Sequence, residues 1–208
     1  MDGGGHQTDH PLERLIFFSD AVFAIAITLL VIEIHVPTPA DAAAAGGYGA
    51  ALLHLLPSFA AFVLSFIVIA RFWMQHHAAF SQCGRYDKAL LWPNTLLLMV
   101  IAFMPFATAF LARNLGEVAP AILYNATLLA TGALSTWLIS LATSPPLLRT
   151  GADAHEVAML PTRGWAVTIA AMLSLALAPF AAAYSQLPLA TIPLWRRMLA
   201  KRWDVSLR

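Results

Sequence analysis

The chain has 208 residues, of which 60% are hydrophobic and 11% charged, and its net charge is +1. A water-soluble domain carries roughly 25% charged residues, so this composition excludes an ordinary soluble fold and points to a bilayer. A single cysteine, Cys83, excludes an internal disulfide framework and any zinc site built on several thiolates.

A helix needs about 20 mainly apolar residues to cross a hydrocarbon core about 30 Å thick. The first such run follows a short Gly and His segment poor in basic residues, so no cleavable leader is expected and the first helix, residues 14–36, is read as inserting as itself. It carries Arg14, Ser19, Asp20, Thr28 and Glu33. An ionisable group within the membrane costs at least about 2.5 to 3.5 kcal/mol on insertion scales, so Asp20 must face protein or water. Two readings of it stand: a polar pin between helices, bonded to Arg14 and to groups elsewhere, or a member of a transport path. At about 100° per residue, Ile25, Leu29 and Ile32 share one stripe, with Thr28 at its border. Such a stripe faces lipid and packing neighbours, or it forms a ring that closes a pore by dewetting where several copies converge.

The first loop, Pro37 to Ala50, reads Pro-Thr-Pro and then an Ala and Gly tract, which makes it a small, flexible connector. The second span is expected at residues 51–74 and ends in Trp73-Met74-Gln75-His76-His77. Adjacent histidines on a helix point about 100° apart, so they do not make a two-ligand metal face, whereas Trp73 and His77 share a face. The third and fourth spans are expected at residues 89–112 and 120–142. Asp153-Ala154-His155-Glu156 is read as a solvated loop.

The last apolar stretch, residues 165–195, is broken by Pro179, Pro188 and Pro193 and is too long for one untilted span and short for two. Charge decides between them. With six spans, Arg113 alone among the 12 basic residues falls on the outer side, as the positive-inside rule requires if both termini are cytoplasmic. The fifth and sixth spans are therefore placed at residues 164–180 and 183–197. A basic tail, residues 198–208, follows and is read as lying along the anionic inner leaflet rather than on nucleic acid. The chain has no nucleophile elbow, paired metal-ligand motif or Gly-rich phosphate loop, so no enzyme activity and no cofactor is expected. A proton path through Asp20, Glu33 and His77 stays open as one transport reading.

Three stretches carry a family resemblance. Arg14-Leu-Ile-Phe-Phe-Ser-Asp20, running on to Glu33, resembles the signature first helix of the transmembrane protein 175 family of endolysosomal and bacterial potassium channels, in which Arg and three residues precede Phe-Ser-Asp. Phe72-Trp73-Met74-Gln75-His76-His77 with Phe80, and Leu91-Trp92-Pro93-Asn94 running on to Phe106, are similar to the same family in the same order. Pro93 departs from the commoner Trp-Leu-Asn form.

The resemblance implies an all-α polytopic protein of six transmembrane helices, assembled as a homotetramer in the bacterial plasma membrane. Potassium would permeate a pore lined by the first helix of each subunit, without a Thr-Val-Gly-Tyr-Gly filter. By position it places the apolar gate on Ile25, with Leu29 and Ile32 further out, and potassium preference on Thr28. It assigns Arg14, Ser19, Asp20, Trp73 and one histidine of the pair to a polar network that braces the pore helix. His77 is favoured over His76, being four residues from Trp73.

Overall fold

The computed structural model describes residues 10–206, with residues 203–206 described by their backbone alone. Among them lie α1 (His10–Ile32), α2 (Pro39–Ala45), α3 (Tyr48–His54), α4 (Leu56–Ser81), α5 (Leu91–Arg113), α6 (Val118–Ala142), α7 (Ala154–Leu177) and α8 (Ile192–Ser206). Five of them, α1 and α4 to α7, are long and apolar enough to cross a membrane, α5 being extended by a 3-10 turn from Lys88.

The α2–α3 connector is more ordered than its composition suggests. Thr38 caps α2, with its hydroxyl accepting from the Asp41 amide at 3.3 Å and its own backbone N–H donating to Asp41 at 2.8 Å. Pro39 sits in the first turn and Gly46 closes the helix in the left-handed region at φ 85°. The Thr38 hydroxyl, then its backbone N–H, then His35 hold the Asp41 carboxyl down at about 2. The stabilisation from this capping box is therefore full above the ordinary value of 3.8 and is lost only as pH falls through about 2.

α5 is the hub of the bundle, packing against α1, α4 and α6, while α7 packs on α6 and α8 packs on α7. Polar pins run through the apolar contacts. The buried Thr108 hydroxyl of α5 lies 2.8 Å from Ser65 Oγ of α4, which in turn lies 3.2 Å from Tyr124 OH of α6. In hydrocarbon these groups have no water to turn to, so each bond fixes a helix rotation as well as a contact.

The α6–α7 crossing is closer still. A Cβ added at Gly132 would stand 2.9 Å from Thr168 Oγ1, and one at Gly164 would collide with the Thr136 hydroxyl. The two glycines let the backbones meet where lipid-like side chains offer no net drive to associate.

The ends of the last helices differ from expectation. The fifth span begins at Ala154 rather than at residue 164, because the Asp153 side chain accepts from the His155 and Glu156 amides and caps the helix. Asp153-Ala154-His155-Glu156 is therefore a helix start and not a loop. Glu156 is further tied to Gln82 of the α4–α5 loop at 2.9 Å.

After Leu177 the chain doubles back through 3-10 turns at Ala182–Tyr184 and Leu187–Thr191, packed on α6 and α7, before α8. The sixth helix runs over Ile192–Ser206 instead of residues 183–197, and the basic segment read as a tail continues it as far as Ser206, residues 207–208 lying outside the described residues. Pro188 and Pro193 lack the N–H that an earlier helix would need, whereas Pro193 fits the first turn of α8.

Gly164→Leu should lower the unfolding free energy by about 1 to 3 kcal/mol through overpacking. Gly151→Leu, at a loop glycine with open space around it, is the control for added bulk but carries φ 78°, so Gly49→Leu is the cleaner one. Thermal unfolding in detergent compares the variants, and an unchanged midpoint for Gly164→Leu would disprove the close approach.

A candidate pore helix and its polar clamp

α1 has two faces. Leu12, Leu15, Ser19, Phe23, Ala26 and Leu30, spaced three or four apart, are buried against the chain. On the opposite side Ile25 is 57%, Leu29 40% and Ile32 73% exposed, and Thr28 lies exposed among them. The Thr28 hydroxyl donates to the Ile25 carbonyl at 2.8 Å, which leaves oxygen lone pairs directed off the helix. Within the single chain, 22% of the span residues of α1 and 17% of those of α4 are buried, against 50%, 56% and 44% for α5, α6 and α7. The first and fourth helices thus keep most of their surface for contacts outside the chain.

The packed face is held by hydrogen bonds in its N-terminal half. Trp73 Nε1 of α4 donates to Asp20 Oδ1 at 2.8 Å. Next to it, fully buried Asn94 of α5 donates from Nδ2 to Ser19 Oγ at 3.0 Å, and its Oδ1 accepts from His76 Nε2 at 3.0 Å. Ser19 also donates to the Leu15 carbonyl at 2.8 Å. His76 is further packed, 4.4 Å from the Phe80 ring and 5.6 Å from Phe23 of α1. At the C-terminal end, Arg113 Nη2 of α5 donates to the Glu33 carbonyl at 3.0 Å and stands 3.6 Å from its carboxylate. The helix is clamped at both ends, and between the clamps it meets its neighbours through apolar side chains.

Most of the residues singled out from the sequence meet here. Ser19, Asp20 and Trp73 belong to the clamp, and Ile25, Thr28, Leu29 and Ile32 share the free face. Arg14 is exposed at the start of α1 and, among the described residues, has no hydrogen bond or ion pair, with Asp20 or otherwise. The choice of His77 is corrected. His77 is exposed, with its ring tilted 5.8 Å from that of Trp73, whereas the contact to α1 belongs to His76. The inward face of α4 is Phe72, Gln75, His76, Ala79 and Phe80, and His77 lies about 100° off it. Asn94, which links three helices, stands within the Leu91-Trp92-Pro93-Asn94 stretch that carries the resemblance, but no role was assigned to it.

His76→Phe should destabilise the protein by about 1 to 3 kcal/mol, the usual cost of stranding a buried partner, here Asn94. His77→Phe should change stability by less than about 0.5 kcal/mol. Thermal unfolding of both variants in one detergent decides which histidine braces α1, and equal losses would overturn the assignment.

The family model described as endosomal/lysosomal potassium channel TMEM175 matches residues 14–105, from α1 through most of α5. A potassium channel of Streptomyces collinus is 50% identical over 104 residues, covering 50% of this chain and 49% of its own length. One of Chamaesiphon minutus is 44% identical over 149 residues, covering 69% of this chain and 72% of its own. The human protein named endosomal/lysosomal proton channel TMEM175 is 36% identical over 100 residues, which are 46% of this chain and 20% of that protein. The chain thus aligns with about half the length of the Streptomyces relative. Among solved structures, the crystal structure of a lysosomal potassium-selective channel TMEM175 homolog from Chamaesiphon minutus superposes with a TM-score of 0.76 at 33% identity, over 94% of this chain and 99% of that one.

Proposed function

The chain belongs to the TMEM175 family, and on that premise we propose that it is a potassium-permeable leak channel, formed by four copies whose α1 helices line one central pore. The family is one of ion channels and not of enzymes. The observation that carries the reading is the free face of α1, where Ile25, Thr28, Leu29 and Ile32 stay exposed while the opposite face is packed and clamped. A homotetramer supplies the partner that this face lacks.

Four Ile25 side chains meeting on an axis close the path by excluding water rather than by blocking it with charge. Leu29 and Ile32 continue the constriction one and two turns outward. Four Thr28 hydroxyl oxygens face a partly dehydrated cation between them. Such a ring lacks a stack of backbone carbonyls, so its preference for potassium over sodium is moderate. The protein resides in the bacterial plasma membrane with both termini cytoplasmic, the orientation that leaves Arg113 alone outside.

A second reading, proton conduction, has one observation in its favour: the human relative is named a proton channel. The groups first considered for it are locally engaged, Asp20 with Trp73 and Glu33 with Arg113, and His77 stands beside the clamp.

In liposomes, the purified chain should pass potassium, and Ile25→Asn should raise the flux about tenfold or more by wetting the constriction. Thr28→Val should bring potassium and sodium permeabilities closer together without abolishing either. Absence of flux from well-folded native protein and from Ile25→Asn would reject the channel reading, while current that follows the proton gradient alone would install the second one.

A further inference from the structure

Between Asp20 and Glu33 the first helix holds no charged residue, and Asp20 is engaged by Trp73. Glu33 is therefore the charge that adjoins the end of the free face. Helix α1 stops at Ile32, which is 73% exposed, and Glu33 follows it in a turn. Arg113, in the last turn of α5, donates from Nη2 to the Glu33 carbonyl at 3.0 Å and stands 3.6 Å from its carboxylate. The guanidinium thus meets the carboxylate together with the C-terminal ends of two helices, where unbonded carbonyls leave partial negative charge.

The side chains of Arg113 and Glu33 are 59% and 40% exposed. An ion pair so exposed contributes little to stability, but its field reaches ions in the surrounding water. Neighbouring groups do not balance that field. The connections on this side of the bundle, residues 33–55, 113–118 and 178–191, contain the carboxylates of Glu33, Asp41 and Glu117 and a single Lys or Arg, which is Arg113. Asp41 is engaged by Thr38 and His35, and Glu117 stands at the start of α6. Arg113 is thus the one fixed positive charge on an otherwise acidic side, and it is spent on the carboxylate next to Ile32.

On the four-copy channel reading, we propose that Glu33 and Arg113 set the electrostatic potential at the pore mouth where α1 ends, Glu33 concentrating potassium there and Arg113 limiting that concentration. Charges of one sign at a mouth with low-dielectric walls raise the local density of counter-ions, and rings of carboxylates serve cation channels in this way. Four copies place four carboxylates and four guanidinium groups at the same level. The gate residues Ile25, Leu29 and Ile32 decide whether the path is wet, whereas this pair decides how many ions wait at its end. Arg113 therefore acts on conduction through charge, in addition to tying α1 to α5.

Rectification separates the two roles. Currents are recorded from the full chain in excised membrane patches, where all copies share one orientation, in symmetric KCl at pH 8, where an ordinary histidine such as His35 or His54 is neutral. The quantity read is the ratio of current entering from the Glu33 side to current leaving by it, which depends neither on the number of channels nor on how often they open. At about 0.01 M salt, with a Debye length of about 30 Å, Arg113→Gln should raise this ratio about two- to threefold and Glu33→Gln should lower it by a similar factor. Arg113→Lys, which keeps the charge and loses the fork, should leave it at the native value. At about 1 M salt, where the Debye length falls to about 3 Å, all four ratios should converge. A change that persists at high salt, or that Arg113→Lys shares, would reduce Arg113 to a helix tie and overturn the proposal. An Arg113→Gln ratio equal to the native one at low salt would overturn it while leaving the channel reading in place, and absence of current from the native chain would reject both.

Discussion

The hydrogen bond from Trp73 to Asp20, with the buried Ser19–Asn94–His76 chain next to it, is the constraint on which the arrangement of the first three long helices rests. In a bilayer an apolar helix face has no reason to prefer protein over lipid, so rotation about the helix axis is set by polar groups that must find partners. Ser19 and Asp20 are adjacent and point about 100° apart, so one contacts α5 and the other α4. With both satisfied, α1 has a single permitted rotation, and that rotation turns Ile25, Thr28, Leu29 and Ile32 away from the chain. The exposed stripe is thus a consequence of the clamp on the other side of the helix.

Apolar run length was enough to locate α1, α4, α5 and α6, because crossing the hydrocarbon sets a minimum that few other pressures mimic. It was a poor guide to where helices end. α7 starts ten residues before its apolar run, since a helix does not stop at the water boundary when Asp153 caps it further out. At the C-terminus, counting apolar residues merged a stretch of 3-10 turns with the first half of α8, and the prolines that separate them act through missing amides, which composition does not register. The histidine that braces α1 was legible by another route: Phe72, Gln75, His76, Ala79 and Phe80 follow the spacing of a packed helix face. Proximity to Trp73 selected the residue sharing the tryptophan's face instead. Asn94 stood in a stretch that carries the resemblance, but its linking role was not legible there, since its partners are on two other helices.

The chain divides by the way its helices are joined. α1, α4 and α5 meet through side-chain hydrogen bonds, which are directional and can exchange partners. α6 and α7 meet through glycine and threonine at near-backbone contact, where a relative shift would separate surfaces that nothing else fills. A rearrangement of the proposed pore would therefore draw on exchange of partners among α1, α4 and α5, while α6 and α7 stay joined.

The Gly132 and Gly164 seam also bears on how such a protein changes over evolutionary time. A contact that asks only for small residues at a crossing point is satisfied by many sequences, whereas a hydrogen-bond chain across three helices is satisfied by few. Divergence can then accumulate in the C-terminal helices without altering their shape, which accounts for a family match confined to residues 14–105 alongside a structural superposition that covers 94% of the chain. In the second half of this molecule, geometry is inherited more faithfully than spelling.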